Sequence, residues 1–419
     1  MKKLFVAAMF AAVLSLQAAV EFKLVSDREL PIYKCGENAT FTVSAVENAE
    51  VVKAGKYQLQ FLLGGRDNLK TVPVDFSAGK PVKVQFTLKE PGFVLVRLMN
   101  MKGKRVSNGK KPVYAGAGFD PEKIRKGYET PADFMKFWED GRKQLADTPV
   151  ELTKSEKYST ARHTTYYVKV KSLNNETITG YLKVPNGKGK YPAYITVPGA
   201  GPGFSGPPTF GGSNMIALAM NVHKFPTKDN AKDQKAAYKE ELKKGSYPLR
   251  DAGNRDKYFF RSVYVAIDRV INHVAAMPQW DGKHMVIDGS SQGGGSALIL
   301  AGFNKNITAL AANVPALCDH GGFKLKRNPG WPNLCYRPNT DAFAPYFDAA
   351  IFASFVKVPA LVSCGFIDTT CPPASVYAAY NELKGEKKMI NVPLEGHTVS
   401  KIYQTEKSKF LRKHTGLIK

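Results

Sequence analysis

The stretch that decides the fold class is Val286-Ile287-Asp288-Gly289-Ser290-Ser291-Gln292-Gly293-Gly294-Gly295-Ser296-Ala297-Leu298. It fits the pattern G-x-S-x-G, with an apolar strand before it and a run of small residues that begins a helix after it. A strand, a sharp turn and a helix in that order are the setting of a nucleophile elbow, in which the serine stands exposed above a sheet. The alternative is a glycine-rich turn that carries no chemistry.

Gly289 and Gly293 have a steric role in this interpretation. The turn is so tight that side chains at these two positions would collide while Ser291 Oγ is held above the sheet. The backbone amide of Gln292, at the start of the helix, can then donate a hydrogen bond to an oxyanion. The motif therefore predicts Ser291 as a nucleophile and Gln292 as an oxyanion-hole residue.

Strands and helices alternate on both sides of the motif. Short apolar runs such as Ala193–Val197, Ala309–Val314 and Pro359–Ser363 are typical of strands buried on both faces of a parallel sheet. Tyr258–Ala276 has the periodicity of a long amphipathic helix. With the elbow, this pattern predicts an α/β domain over residues 120–419, of the α/β-hydrolase fold with a mostly parallel sheet.

The chain before this domain has a different period. Between residues 20 and 115, apolar and polar residues alternate in short runs, with turn residues every ten or so positions. This pattern predicts an all-β, immunoglobulin-like sandwich. The Gly/Ala-rich stretch Ala115-Gly116-Ala117-Gly118-Phe119-Asp120-Pro121 ends the pattern, and we interpret it as the boundary between two domains.

A serine hydroxyl needs a histidine base and a carboxylate that orients the base. These follow the serine in the chain order Ser, Asp or Glu, His. His397 follows an apolar run on a loop, whereas His414 lies in a basic terminal helix, so His397 is the predicted base. Asp368 follows an apolar strand and precedes a Pro-initiated helix, and it is the predicted acid; Asp348 is its rival, and is interpreted as a helix N-cap or surface acid.

The first 19 residues predict export. Leu4–Ala19 is apolar, follows Lys2 and Lys3, ends in small residues and is too short to span a bilayer, as in a secretory signal peptide. No later segment reaches the ~18 apolar residues of a membrane span. We therefore expect a secreted or periplasmic protein without a membrane span.

The chain is strongly basic, with a formal net charge of +24. The lysines are scattered, and no nucleic-acid recognition motif accompanies them, so no nucleic acid partner is expected. The segment Gly201–Gly206 fits G-x-G-x-x-G, but prolines follow where a dinucleotide site needs a helix. No metal-site signature appears, no cofactor is expected, and whether any of the five cysteines form a disulfide stays open.

Several stretches resemble the acetyl xylan esterase and cephalosporin C deacetylase family of α/β-hydrolases. The resemblance covers roughly residues 120–415 and rests on the Gly289–Gly295 elbow, Val314-Pro315-Ala316-Leu317-Cys318-Asp319, Asp368-Thr369-Thr370-Cys371-Pro372-Pro373 with Ala378-Ala379-Tyr380-Asn381, and an entry helix beginning at Pro131. It implies Ser291 as nucleophile, Asp368 as orienting acid, His397 as base, and metal-free removal of small acyl groups from sugars.

Three positions depart from the family pattern. Pro198-Gly199-Ala200 replaces His-Gly-Tyr, so the second oxyanion amide is expected from Ala200 or Gly201. Asn221-Val222-His223-Lys224 lies where the family has Arg-Gly-Gln, and Thr398 replaces a glutamate. The resemblance allows a homo-oligomer, but the lost Arg-Gly-Gln motif removes the basis for carrying over the family's assembly or substrate.

These observations predict a secreted serine esterase that removes acetyl groups from an acetylated oligo- or polysaccharide, xylan-like or acidic. A peptidase or general carboxylesterase on the same fold is one alternative. A catalytically inert polysaccharide-binding protein is another.

Overall fold

The computed structural model describes residues 20–417, so the predicted signal peptide (residues 1–19) lies outside the described residues. The strands are β1 Glu21–Ser26, β2 Ile32–Tyr33, β3 Ala39–Glu47, β4 Glu50–Val51, β5 Lys56–Leu63, β6 Asp67–Asp75, β7 Val82–Phe86, β8 Gly92–Asn100, β9 Ser107–Asn108, β10 Lys111–Pro112, β11 Tyr114–Phe119, β12 Val150–Lys154, β13 His163–Lys171, β14 Thr177–Pro185, β15 Tyr191–Val197, β16 Ile216–Met220, β17 Trp280–Ser290, β18 Ala309–Asn313, β19 Ala360–Gly365 and β20 Lys387–Val392. The helices are α1 Phe134–Gln144, α2 Ala231–Leu242, α3 Phe259–Ala275, α4 Gln292–Phe303, α5 Thr340–Phe343, α6 Ala349–Ala353, α7 Pro373–Glu382 and α8 Lys401–His414.

The N-terminal β-region, Glu21–Phe119, contains two main sheets. One holds β1, β3, β4 and β7, and the other has the order β2-β11-β8-β5-β6. Alternate side chains of each strand point to a shared interior, as the period of two predicts; Phe41, Phe61 and Phe76 are fully buried there. The all-β prediction is confirmed, while the immunoglobulin-like topology stays a prediction.

The Gly/Ala-rich stretch contains a strand. Residues 114–119 form β11, which pairs antiparallel with β8. The all-β region therefore extends to Phe119, which lies within the stretch Ala115–Pro121 predicted as the boundary. Ala115, Ala117 and Phe119 face the interior of the β-region, so Gly116 and Gly118 form the opposite face, where small residues allow a close approach.

The α/β region follows from residue 120 and is built on one nine-stranded sheet of order β12-β13-β14-β16-β15-β17-β18-β19-β20. The strands from β16 to β20 along this order are parallel, and the three at the other end are antiparallel. The central strands are buried on both faces, which explains their continuous apolar runs. The prediction of a mostly parallel α/β sheet is confirmed.

The helices cover both faces of this sheet. α3 carries buried Val263, Ile267 and Val270, and α8 packs on β17, β18 and β19. The entry helix α1 begins at Phe134 rather than at the predicted Pro131, since the preceding three residues form a turn. Within residues 20–417, no helix combines the length and apolarity that a bilayer crossing requires.

Candidate active site

Ser291 lies between the end of β17 and the start of α4, as the motif predicts. Its backbone has φ 57° and ψ −121°, a region that residues with a side chain rarely adopt. The turn is held by hydrogen bonds to the end of β18 and to the loop after it: Ser291 N donates to Asn313 O (2.9 Å), and Ala316 N donates to Ser291 O (2.9 Å). A Cβ on Gly289 would collide with the backbone of Gly293, which explains why glycine is required there.

The structure brings Ser291, His397 and Asp368 into one chain of hydrogen bonds. Ser291 Oγ is 2.8 Å from His397 Nε2, and His397 Nδ1 is 2.7 Å from Asp368 Oδ2. A carboxylate can only accept, so Nδ1 carries the proton and Nε2 is left to accept the proton of the serine hydroxyl. This arrangement can convert a serine into a nucleophile.

The Asp368 carboxylate is itself fixed. Its second oxygen, Oδ1, accepts from Thr370 N (2.8 Å) and Cys371 N (3.0 Å). The Asp368 side chain is fully buried, whereas that of His397 is 28% exposed. The acid is thus held in one orientation behind a histidine that a substrate can reach.

The rival acid, Asp348, lies elsewhere. Its Oδ1 accepts from Ala350 N (2.9 Å) at the start of α6, so the N-cap prediction is confirmed. Asp348 is fully buried, so the alternative of a surface acid is wrong. It also accepts from Asp319 N and His320 N, both at 2.7 Å. Burial raises the pKa of the Asp348 carboxyl to about 7, and its contacts are structural.

Gln292 follows Ser291 in the chain, and Gly199, the residue before Ala200, lies close to Ser291. Gln292 is the first residue of α4, and an amide at that position has no carbonyl of its own helix to donate to. On the other side, a Cβ on Gly199 would lie 3.3 Å from Ser290 O and 3.9 Å from Ser291 Cβ. Ala200, the next residue, is exposed at this edge, and its role as a second donor stays a prediction.

Buried polar side chains hold the loop that contains Ala200, here called the 198–208 loop. The donors and their carbonyl acceptors are Gln292 Nε2 to Pro198 O (3.2 Å), His223 Nε2 to Gly201 O (2.7 Å), Gln234 Nε2 to Pro202 O (2.6 Å) and Asn221 Nδ2 to Phe204 O (3.0 Å). Tyr247 OH donates to Gln292 Oε1 at 2.5 Å. The loop contains Gly201–Gly206, and no helix follows directly, as the prolines predict.

Sequence reasoning missed these supports, although Asn221 and His223 lie where the family's Arg-Gly-Gln was found to be missing. That departure was a signal that the surroundings of the loop had changed. Tyr247 and Gln234 carried no local signal. All five cysteine thiols are free, and the described residues contain no His, Cys, Asp or Glu group arranged to hold a metal ion.

A mixed, mostly parallel sheet with a serine at a strand–turn–helix elbow defines the class of α/β-hydrolases. The chain matches the acetyl xylan esterase (AXE1) family model over residues 122–325 and 339–414. It belongs to this family, and it is a carboxylic-ester hydrolase.

A relative supports this assignment, and two solved structures support the fold. The acetyl esterase Axe7A of Xylanibacter ruminicola is 31% identical over 386 residues, which are 87% of this chain and 84% of that protein. The acetyl xylan esterase 1 of Thermoanaerobacterium sp. JW/SL YS485 is 21% identical with a TM-score of 0.58, covering 70% of this chain and 97% of that one. The acetyl xylan esterase of Paenibacillus sp. R4 is 21% identical with a TM-score of 0.56, covering 70% and 98%. At this identity, the two structures support the fold.

Proposed function

We propose that the chain is a secreted serine esterase that removes acetyl groups from carbohydrate through Ser291, His397 and Asp368. The observation that carries this proposal is the hydrogen-bonded chain from the Ser291 hydroxyl through His397 to the buried Asp368 carboxylate. The name of the relative Axe7A, an acetyl esterase, supports the acetyl group as the acyl group removed.

The reaction has two halves. In the first, Ser291 Oγ attacks the acetyl carbon while its proton passes to His397 Nε2, and Asp368 stabilises the imidazolium. The oxyanion accepts hydrogen bonds from the Gln292 amide and from the amide of Ala200. The sugar oxygen then leaves with the proton from His397, and the acetyl group stays on Ser291.

In the second half, His397 takes a proton from water, and the hydroxide attacks the acetyl-enzyme. The second oxyanion collapses, Ser291 recovers its proton from His397, and acetate leaves. No metal or cofactor is needed to balance these steps.

Ser291→Ala tests the proposal. Acetate release from acetylated xylan should fall by a factor on the order of 10⁶, as in a comparable triad enzyme, with an unchanged circular dichroism spectrum. Ser290→Ala is the matched control, since Ser290 Oγ contacts Asn313 Nδ2 rather than His397, and it should stay within about tenfold of wild type. A Ser291→Ala variant with activity within tenfold of wild type would refute the proposed mechanism.

The acyl group separates this proposal from a general carboxylesterase. With p-nitrophenyl esters of rising chain length, acetyl esters should be hydrolysed much faster than butyryl or longer esters. A preference for long chains would support the alternative. Release of amines from peptide substrates instead of acetate would support a peptidase.

The basic charge bears on the polysaccharide. The net charge is +24 for the full sequence and falls to +22 without Lys2 and Lys3, which favours an acidic polymer, carrying uronate or sulfate groups, that is attracted electrostatically. Exposed charges are screened beyond ~10 Å at 0.1 M salt. The kcat/KM on such a polymer should therefore fall as salt rises from about 0.01 to 0.5 M, while hydrolysis of p-nitrophenyl acetate stays level. If both activities change equally with salt, the charge has no role in substrate binding, and neutral xylans become the favoured substrates.

Export is proposed from the apolar segment Leu4–Ala19. The intact mass of the protein recovered from the periplasm or medium should lack the first 18 or 19 residues. Recovery of the full-length chain in the cytoplasm alone would contradict it.

A further inference from the structure

The glycine face of β11 packs against the turn that carries Asp368, here called the acid turn (residues 366–371). A Cβ on Gly116 would lie 2.5 Å from Phe366 O and 2.8 Å from Phe366 Cβ. No side chain fits in that space unless the backbone of the acid turn moves. The N-terminal β-region thus lies against the acid turn at backbone distance.

Phe93, on β8, extends the same contact. It is 1% exposed, and its ring centroid is 5.0 Å from that of Phe366, edge to face, and 5.3 Å from that of Tyr377 on α7. Phe93 pairs with Gly118 across the two strands. A Cβ on Gly118 would lie 2.8 Å from the Phe93 ring, so the second glycine of β11 makes room for this ring.

Only one residue separates Phe366 from Asp368. Phe366 N donates to Val392 O (3.2 Å), Ile367 N to Glu395 O (3.3 Å) and Asp368 N to Gly365 O (3.2 Å). One side of the acid turn is therefore hydrogen-bonded to the segment leading to His397. The other side has the aromatic and glycine contacts of the β-region.

The segment leading to His397 also borders the β-region. Pro393 and Leu394 line a crevice of about 260 Å³ together with Arg28, Pro31 and Gly116. Just after β11, the side-chain amide of Asn381 on α7 donates to both Pro121 O and Ile124 O at 2.9 Å. The acid of the proposed triad thus stands on a turn that the β-region contacts, and the base follows a segment that shares a crevice with the β-region.

We infer that the N-terminal β-region serves as a fixed support of the reaction centre, and that Phe93 and Gly116 are positioning residues for Asp368. This inference rests on the proposed function. It assigns the β-region a part in turnover itself, rather than a role as a separate polysaccharide-binding module. The family model matches from residue 122 onward, so that model does not include this support.

The test compares Phe93→Ala and Gly116→Ala with two controls. Phe93→Leu keeps most of the packing against Phe366 and should restore activity. Phe41→Ala removes an equally buried ring from the interior of the β-region, where its aromatic contact is with Phe61, so it should lower the melting temperature but leave turnover unchanged. Active sites are counted with a fluorophosphonate, and mass spectrometry identifies the labelled serine.

Turnover of p-nitrophenyl acetate per labelled site should fall about 10- to 100-fold in Phe93→Ala and Gly116→Ala, since a displacement of ~1 Å at a reacting group costs up to about 10². KM should change less than threefold. The acidic limb of the kcat/KM profile should move to lower pH, because a displaced carboxylate stabilises the imidazolium less. Phe93→Leu should stay within threefold of wild type.

Each outcome decides one claim. The inference would be overturned if Gly116→Ala and Phe93→Ala keep the wild-type turnover per labelled site and the wild-type pH profile. Labelling of Ser291 in these variants would leave the proposed function intact. An equal loss in Phe41→Ala would also overturn the inference, since general destabilisation would then explain the effect. If Phe93→Ala does not fold, Gly116→Ala decides. Labelling at a serine other than Ser291 would instead refute the proposed function.

Discussion

The two sides of the candidate site are held by different forces. On the oxyanion side, buried Gln292, His223, Gln234 and Asn221 each hold a chosen carbonyl of the 198–208 loop by a hydrogen bond. On the acid side, the ring of Phe93 and the backbone of β11 at Gly116 pack against Phe366. A hydrogen bond fixes one atom in one direction, whereas packing excludes every displacement that would cause a clash.

The two kinds of support match the different geometric requirements of an oxyanion hole and of an orienting carboxylate. An oxyanion hole requires backbone N–H groups aimed at one point, and a hydrogen bond on the neighbouring carbonyl sets the rotation of that peptide. The carboxylate needs a fixed distance from His397, and its own orientation is already set by Thr370 N and Cys371 N. We therefore expect the loss of one polar side chain to move only the peptide group that it binds. A change in packing should instead shift the acid turn as a unit.

Among changes to the two sides, the largest expected effect is at the end of the packed side. Asp368→Asn keeps the size and one acceptor, but its amide group can face His397 Nδ1 and force the wrong tautomer. The kcat should fall about 10⁴-fold, as for the equivalent change in a serine protease, with the fold intact. Asp75→Asn, on an exposed acid of β6, is the control. Activity within tenfold of wild type would mean that Asp368 does not orient His397.

A smaller effect is expected on the polar side from Tyr247→Phe. It removes the hydroxyl that donates to Gln292 Oε1, leaving a buried acceptor unpaired at a cost of about 1–3 kcal/mol in the free energy of unfolding. The kcat should fall about tenfold, below the ~10² that follows direct loss of an oxyanion donor. Tyr264→Phe loses an equally buried hydroxyl that contacts Ser296. If both variants lose kcat equally, the polar side has no specific role.

The smallest expected effect is a pH dependence of stability at His223. Burial lowers the pKa of its imidazole below the ordinary 6.5, so its contribution to stability is present above pH 6.5 and is lost as the pH falls toward the folded-state pKa. His223→Gln keeps a donor for Gly201 O and cannot titrate. Between pH 7.5 and 5, wild type should lose more unfolding free energy than the variant, by at most about 1.4 kcal/mol per pH unit. The unfolding free energy is measured by urea unfolding at each pH. If it changes equally with pH in wild type and His223→Gln, His223 does not change protonation on folding.

The elbow could be predicted from the sequence because its requirements are local. A tight turn of five residues requires glycine at positions 289 and 293. Because the acid and the base must follow Ser291 in that order along the chain, few candidates then remain for them. Asp368 could be favoured over Asp348 because a carboxylate directly after a strand stands at the sheet edge where Ser291 also lies.

The supports on either side could not be predicted, because they join residues far apart in the chain. In the sequence, the glycines of β11 indicate only a domain boundary, because the Phe366 that lies against Gly116 is about 250 positions later. His223 and Tyr247 are ordinary core residues in the sequence. Their roles depend on carbonyl groups that only the folded loop presents.

The backbone of Ser291 also has a thermodynamic consequence. A residue with a side chain at φ 57° and ψ −121° costs on the order of 1–3 kcal/mol of folding free energy, and glycine is nearly exempt from that penalty. Ser291→Gly should therefore be more stable to denaturant than Ser291→Ala, although both lack the hydroxyl. The enzyme would then be less stable than its Ser291→Gly variant, and selection for stability alone would remove the proposed nucleophile.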